Sequence, residues 1–91
     1  MSGFILKVDG TVVPLKHECS LEELQAAVGG WIERVKIAYD YELADMIVNE
    51  EGKLRDLPLN RKATELYWNG RASTDPIVGD VVVLLGSWKL K

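Results

Sequence analysis

The stretch SLEELQAAVGGWIERVKIAY, residues 20–39, decides the fold. Ser20 can cap a free helix amide, and Glu23 three residues later completes a capping box. Leu21, Leu24, Ala27 and Val28 recur at helical spacing, while Glu22, Glu23 and Gln25 take the other face. Gly29-Gly30 stops the helix after about two turns, so packing rather than propensity must hold it. The period then changes from 3.6 to 2. Val35, Ile37 and Tyr39 alternate with Arg34, Lys36 and Ala38, the pattern of a half-buried strand, with a phase slip near Trp31, which is read as core.

Working outward, Phe4–Val8 and Thr11–Val13 flank Asp9-Gly10, a hairpin signal for a two-residue type I′ turn. Pro14 cannot donate to a ladder, so the second strand is an edge or ends there. Asp40, Glu42 and Asp45 form an acidic loop with Tyr39 and Tyr41, and Asp45–Asn49 reads as the next strand. Glu50-Glu51-Gly52-Lys53 is a turn with Gly52 at the positive-φ site. Asn60 is an N-cap for a helix from Arg61 to Trp68, with Ala63, Leu66 and Tyr67 inward. Val81–Leu85 is an unbroken apolar run, the mark of a central strand covered on both faces. The order β-β-α-β-β-α-β predicts a single small α+β domain, a mainly antiparallel sheet backed by one or two helices.

Composition narrows the function. The 91 residues carry 11 basic and 14 acidic side chains, net −3, which speaks against a protein that coats a phosphate backbone. No direct nucleic-acid binding is expected. One cysteine and one histidine cannot make a four-ligand zinc site, and no cofactor motif is present. The longest apolar run falls far short of a membrane span, and the first residues do not form a signal peptide, so a cytoplasmic location is expected.

Three stretches together resemble a known group. They are residues 20–33, residues 48–53 running into Leu57-Pro-Leu-Asn-Arg61, and Ile77-Val-Gly-Asp-Val-Val-Val-Leu-Leu-Gly86. The chain is similar over most of its length to an uncharacterised family of small bacteriophage and mobile-element proteins of unknown function. The resemblance implies a phage-like origin and a small α+β fold, and brings no activity or site residue. Residues 65–73, with Tyr67, Trp68 and Arg71, depart from the pattern.

The candidate ligand-binding residues are Asn49, Lys53, Asn60, Arg61, Trp68 and Arg71. Arg61 could clamp a phosphate or carboxylate, Lys53 could add a point charge, and either asparagine could read a base or sugar edge. Trp68 and Arg71 could stack on a nucleobase. The competing reading is structural: Asn60 caps a helix, Lys53 is surface, and the aromatics serve packing or an interface. His17 and Cys19, two apart before the helix, could in principle pair as base and nucleophile, but they lack an orienting third group.

Three functions follow. The first is a phage-like counter-defence protein that sequesters a small anionic, nucleotide-derived ligand without chemistry, at a subunit interface of a homo-oligomer. The alternative is a protein–protein inhibitor or adaptor that binds a host defence or nucleic-acid enzyme through an acidic and aromatic surface. A small hydrolase using Glu33 or Glu50 as base is a weaker third.

Overall fold

A computed structural model describes residues 2–69 and 75–89. The elements are β1 (Gly3–Leu6), β2 (Val12–Pro14), α1 (Leu21–Val28), β3 (Ile32–Tyr39), β4 (Glu42–Asn49), α2 (Arg61–Trp68), β5 (Val81–Leu84) and a 3₁₀ turn over Gly86–Trp88. The five strands form one antiparallel sheet in the order β2-β1-β5-β4-β3. This is the expected α+β architecture. The two helices pack on opposite faces, giving three layers. No helix among the described residues is long and apolar enough to cross a membrane.

Period 2 sorts the core into two halves. On the α1 face, Leu24 and Val28 meet Ile47, Val82 and Leu84, with Ile32 packed beside them. On the α2 face, Ala63, Leu66 and Tyr67 meet Phe4, Leu6, Ile37, Met46, Val48, Val81 and Val83. The central strand β5 is buried along its whole length, as its unbroken apolar run requires. Ile32 keeps phase with Arg34, so the strand needs no slip. Trp31 is 66% exposed, not core: it stands between the end of α1 and the start of β3, where no layer covers it.

Both helix starts are capped as read. The Ser20 hydroxyl accepts from the Glu23 amide at 3.1 Å, and the Glu23 carboxylate accepts from the Ser20 amide at 2.9 Å. Gly29 ends α1 in the left-handed region at φ 82°. The α1 carbonyls left over are held by side chains from the 49–55 turn: Asn49 donates to Val28 at 3.0 Å, and Arg55 donates to Gly29 at 2.8 Å.

The turns differ from expectation in an instructive way. Asp9-Gly10 is part of a three-residue loop: Gly10 donates to the Lys7 carbonyl and Lys7 to Thr11, both at 2.9 Å, and only Gly10 has positive φ. The two-residue turn with both φ positive lies instead at Asp40 (51°) and Tyr41 (67°). The supposed acidic loop is thus a tight hairpin, and β4 begins at Glu42. Asp45 is fully buried in β4, 3.3 Å from the Lys36 amine on the neighbouring strand. Gly52 does not have positive φ. It is glycine because a Cβ would sit 2.8 Å from the Val78 side chain.

Asn60 is fully buried. Its amide nitrogen donates to the carbonyls of Leu6 (3.0 Å) and Gly79 (2.9 Å), and its oxygen accepts from the Ala63 amide at 3.1 Å. Asn60→Ala would strand three buried polar groups. We expect a loss of about 3 kcal/mol in urea unfolding, against less than about 0.5 kcal/mol for exposed Arg61→Ala.

Glu23 titrates below the ordinary carboxylate range, first because of the Ser20 amide and then because of His17, 2.9 Å away. A carboxyl lowered in the folded state adds stability above its unfolded value and loses it as pH falls through the folded one. The gap in melting temperature between the native chain and Glu23→Gln should be largest near neutral pH. It should close on acidification from about pH 4.5 downward.

Candidate functional site

The loop after β4 and the short ribbon before β5 build a recess on the α2 side of the sheet. Asn60 and Gly79 amides pair with Ile77 and Pro58 carbonyls at 2.9 and 2.8 Å, holding residues 58–60 against 77–79. A cleft of about 250 Å³ opens between this ribbon, the 49–54 turn, the first half of β3 and Tyr67 of α2. Val35, Val48 and Ile77 line its apolar part, and Glu33, Glu50, Asp75 and Lys53 supply its charges. Three carboxylates against one amine make the cleft acidic. Lys53 lies 3.7 Å from Asp75, so its charge is partly matched.

On the other side of the last turn of α2 lies a wider groove of about 600 Å³. Phe4, Leu6, Val12, Tyr39, Leu66 and Trp68 give it an apolar, aromatic wall. Phe4 and Tyr39 stack tilted with centroids 5.6 Å apart. Trp68 is 40% exposed and fixed in place, since its indole N–H donates to the Asp75 carbonyl at 2.7 Å. The C-terminal turn of α2 is therefore a ridge with Tyr67 facing the acidic cleft and Leu66 and Trp68 facing the groove.

The five sequence candidates among the described residues do not converge. Asn49 and Lys53 share the acidic cleft, and Trp68 lines the neighbouring groove. Asn60 is interior, with both donors and its acceptor engaged by the scaffold. Asn49 is likewise held, donating to Val28 and accepting from Glu51 at 2.8 Å. Arg61 is exposed, makes no hydrogen bond or ion pair among the described residues, and lines neither recess. Arg71 lies outside the described residues. The aromatics are spread as well, with Trp31 and Tyr41 just outside opposite ends of β3.

The DUF3846 domain of unknown function matches residues 1–87. The chain belongs to this family. No curated protein and no solved structure matches it. The residues that carried the family resemblance are mostly scaffold here: Ser20 and Glu23 start α1, Asn49 closes it, Asn60 starts α2, and Asp80 accepts from the Val8 amide at 2.9 Å. Of the residues that line the recesses, Glu33, Glu50 and Ile77 stood in the stretches that carried the resemblance and Tyr67 in the segment that departs from it, whereas Val35 and Leu66 gave no motif. Their only sequence signal was the alternation of β3 and the inward face of α2.

His17 does find a third group, but its ring nitrogen pairs with Glu23 at 2.9 Å rather than with Cys19. Burial, then the Glu23 carboxylate nearby, pushes the Cys19 thiol above its ordinary value. That is the opposite of an activated nucleophile. Alkylation of Cys19 by iodoacetamide at neutral pH should run more slowly than that of free cysteine, measured by mass spectrometry of the intact chain. A faster reaction would restore the nucleophile reading.

Proposed function

We propose that this DUF3846 member is a phage-like accessory protein that acts inside the host cell by binding another protein, as an inhibitor or adaptor, without chemistry of its own. The single observation that carries the reading is the pairing of an acidic cleft with an aromatic groove on either side of one ridge of α2. Tyr, Trp and neighbouring aliphatic side chains are the usual anchors of protein interfaces. An apolar cleft floor under a carboxylate rim suits the methylene stem and cationic head of a partner lysine or arginine. Net charge −3 adds long-range attraction for a basic partner. A host defence or nucleic-acid enzyme with a basic working surface is the class of target that fits.

The small anionic ligand is less well served. Lys53 and Arg61, two of the cations named for it, do not share a recess, and Lys53 stands among three carboxylates. Both recesses are lined by described residues of a single chain, and the protein-binding reading calls for no second copy.

Peptide display on the full chain tests this. Enriched peptides should combine a basic residue with aliphatic or aromatic ones. Their affinity should fall about tenfold or more in Glu50→Lys and in Trp68→Ala, with melting temperatures little changed. No enrichment would overturn the reading. So would a melting temperature raised by a nucleotide or cyclic dinucleotide and restored to baseline in Lys53→Ala, which would favour the ligand-sequestering function instead.

A further inference from the structure

Tyr41 is a residue that the fold by itself does not call for. The β3–β4 ladder leaves two residues for the reversal, and both have positive φ, Asp40 at 51° and Tyr41 at 67°. Aspartate tolerates that region, and glycine is the usual residue at the second position of such a turn. A bulky ring there is disfavoured. Nothing within the chain compensates, because Tyr41 is fully exposed and has no hydrogen bond or ring contact among the described residues. An unfavourable conformation kept at a fully exposed aromatic points to a contact outside the chain.

A recess that suits the ring lies on the same chain, beside the turn. Tyr39, two residues before Tyr41, walls the aromatic groove together with Phe4, Leu6 and Trp68. The groove is open and about 600 Å³ in volume, ample for a phenol ring. The ring of Tyr41 does not occupy it in its own chain, since that ring is fully exposed. Charge is matched as well. Asp40 and Glu42 flank Tyr41, and Lys62 stands on the groove wall. None of these three has a hydrogen bond or ion pair among the described residues. Glu65, the other charge on the groove, is one turn further along α2.

We propose that the groove receives Tyr41 of a second copy, and that two chains pair about a twofold axis with each hairpin tip in the other's groove. A tip and a groove side by side on one chain are what a self-complementary, reciprocal contact requires. The carboxylates of each tip meet Lys62 across the boundary, and the apolar wall covers the ring. A buried tyrosine accounts for about 150–250 Å², so two rings and two groove walls make an interface below about 1,200 Å². That size gives a weak, reversible dimer. The left-handed tyrosine is thereby explained by assembly and not by the hairpin.

Sedimentation velocity on the full chain, from about 5 μM to about 1 mM, tests this. The native chain should pass reversibly from one copy to two as concentration rises. Tyr41→Gly should remain a single copy throughout. At about 5 μM, where the native chain is also single, this variant should melt no lower than the native chain, because glycine suits the positive φ. Tyr41→Phe should keep the dimer. Glu42→Lys and Lys62→Glu should each weaken it about tenfold, and the double variant should recover most of that loss.

A single copy at about 1 mM would overturn the proposal. So would a dimer that survives Tyr41→Gly, because the ring would then lie outside the interface. Mass that keeps growing beyond two copies would overturn the closed twofold pairing. All of these results are obtained without a partner peptide, so they leave the protein-binding reading to the display experiment.

Discussion

The side-chain amide of Asn60 is the interaction on which the rest depends. It joins three parts of the chain that are far apart in sequence: the end of β1 through Leu6, the approach to β5 through Gly79, and the first turn of α2 through Ala63. Each partner is a backbone group in a place water does not reach. A hydrogen bond made there is modest in net worth, yet leaving the group unmade costs far more. No apolar residue of similar size could replace it, because two carbonyls need donors and one amide needs an acceptor. Thr64 repeats the device one turn later, donating to the Asn60 carbonyl at 2.8 Å and accepting from Ile77 at 2.8 Å.

This anchoring explains why the most suggestive polar residues are not the most suggestive surface. An asparagine that caps a helix and bridges two strands has nothing left for a ligand. Asn49 is in nearly the same position at the other helix, closing α1 through Val28. Arg61 follows a buried residue on a helix and is therefore turned outward. The proposed binding surface is instead formed by side chains that the scaffold leaves partly uncovered. These are Glu33, Val35 and Tyr39 of β3, the end of α2, and the rim near β1.

Local chemistry was legible wherever it is self-contained. The capping box at Ser20 and Glu23, the left-handed Gly29 and the N-cap at Asn60 need only neighbours within a few residues. Turn type was less legible, because Asp9-Gly10 fits both a two-residue and a three-residue loop, and the strands it joins decide between them. Asp40 and Tyr41 carry none of the glycine that marks such a turn. They adopt positive φ because eight paired residues on each side leave two for the reversal. Gly52 is required by the side chain of Val78, which is distant in sequence and could not be read locally.

The sequence by itself determined the elements and their order, the burial of β5 on both faces, and the small α+β class, since these follow from periodicity, caps and an unbroken apolar run. Only the tertiary structure decided which polar side chains are held inside and which remain at the surface. It placed the helices on opposite faces, gathered Glu33, Glu50 and Asp75 around one cleft, and put β3 at the end of the sheet among the described residues. Those outcomes depend on contacts between residues tens of positions apart, and no short-range pattern encodes which pairs will meet.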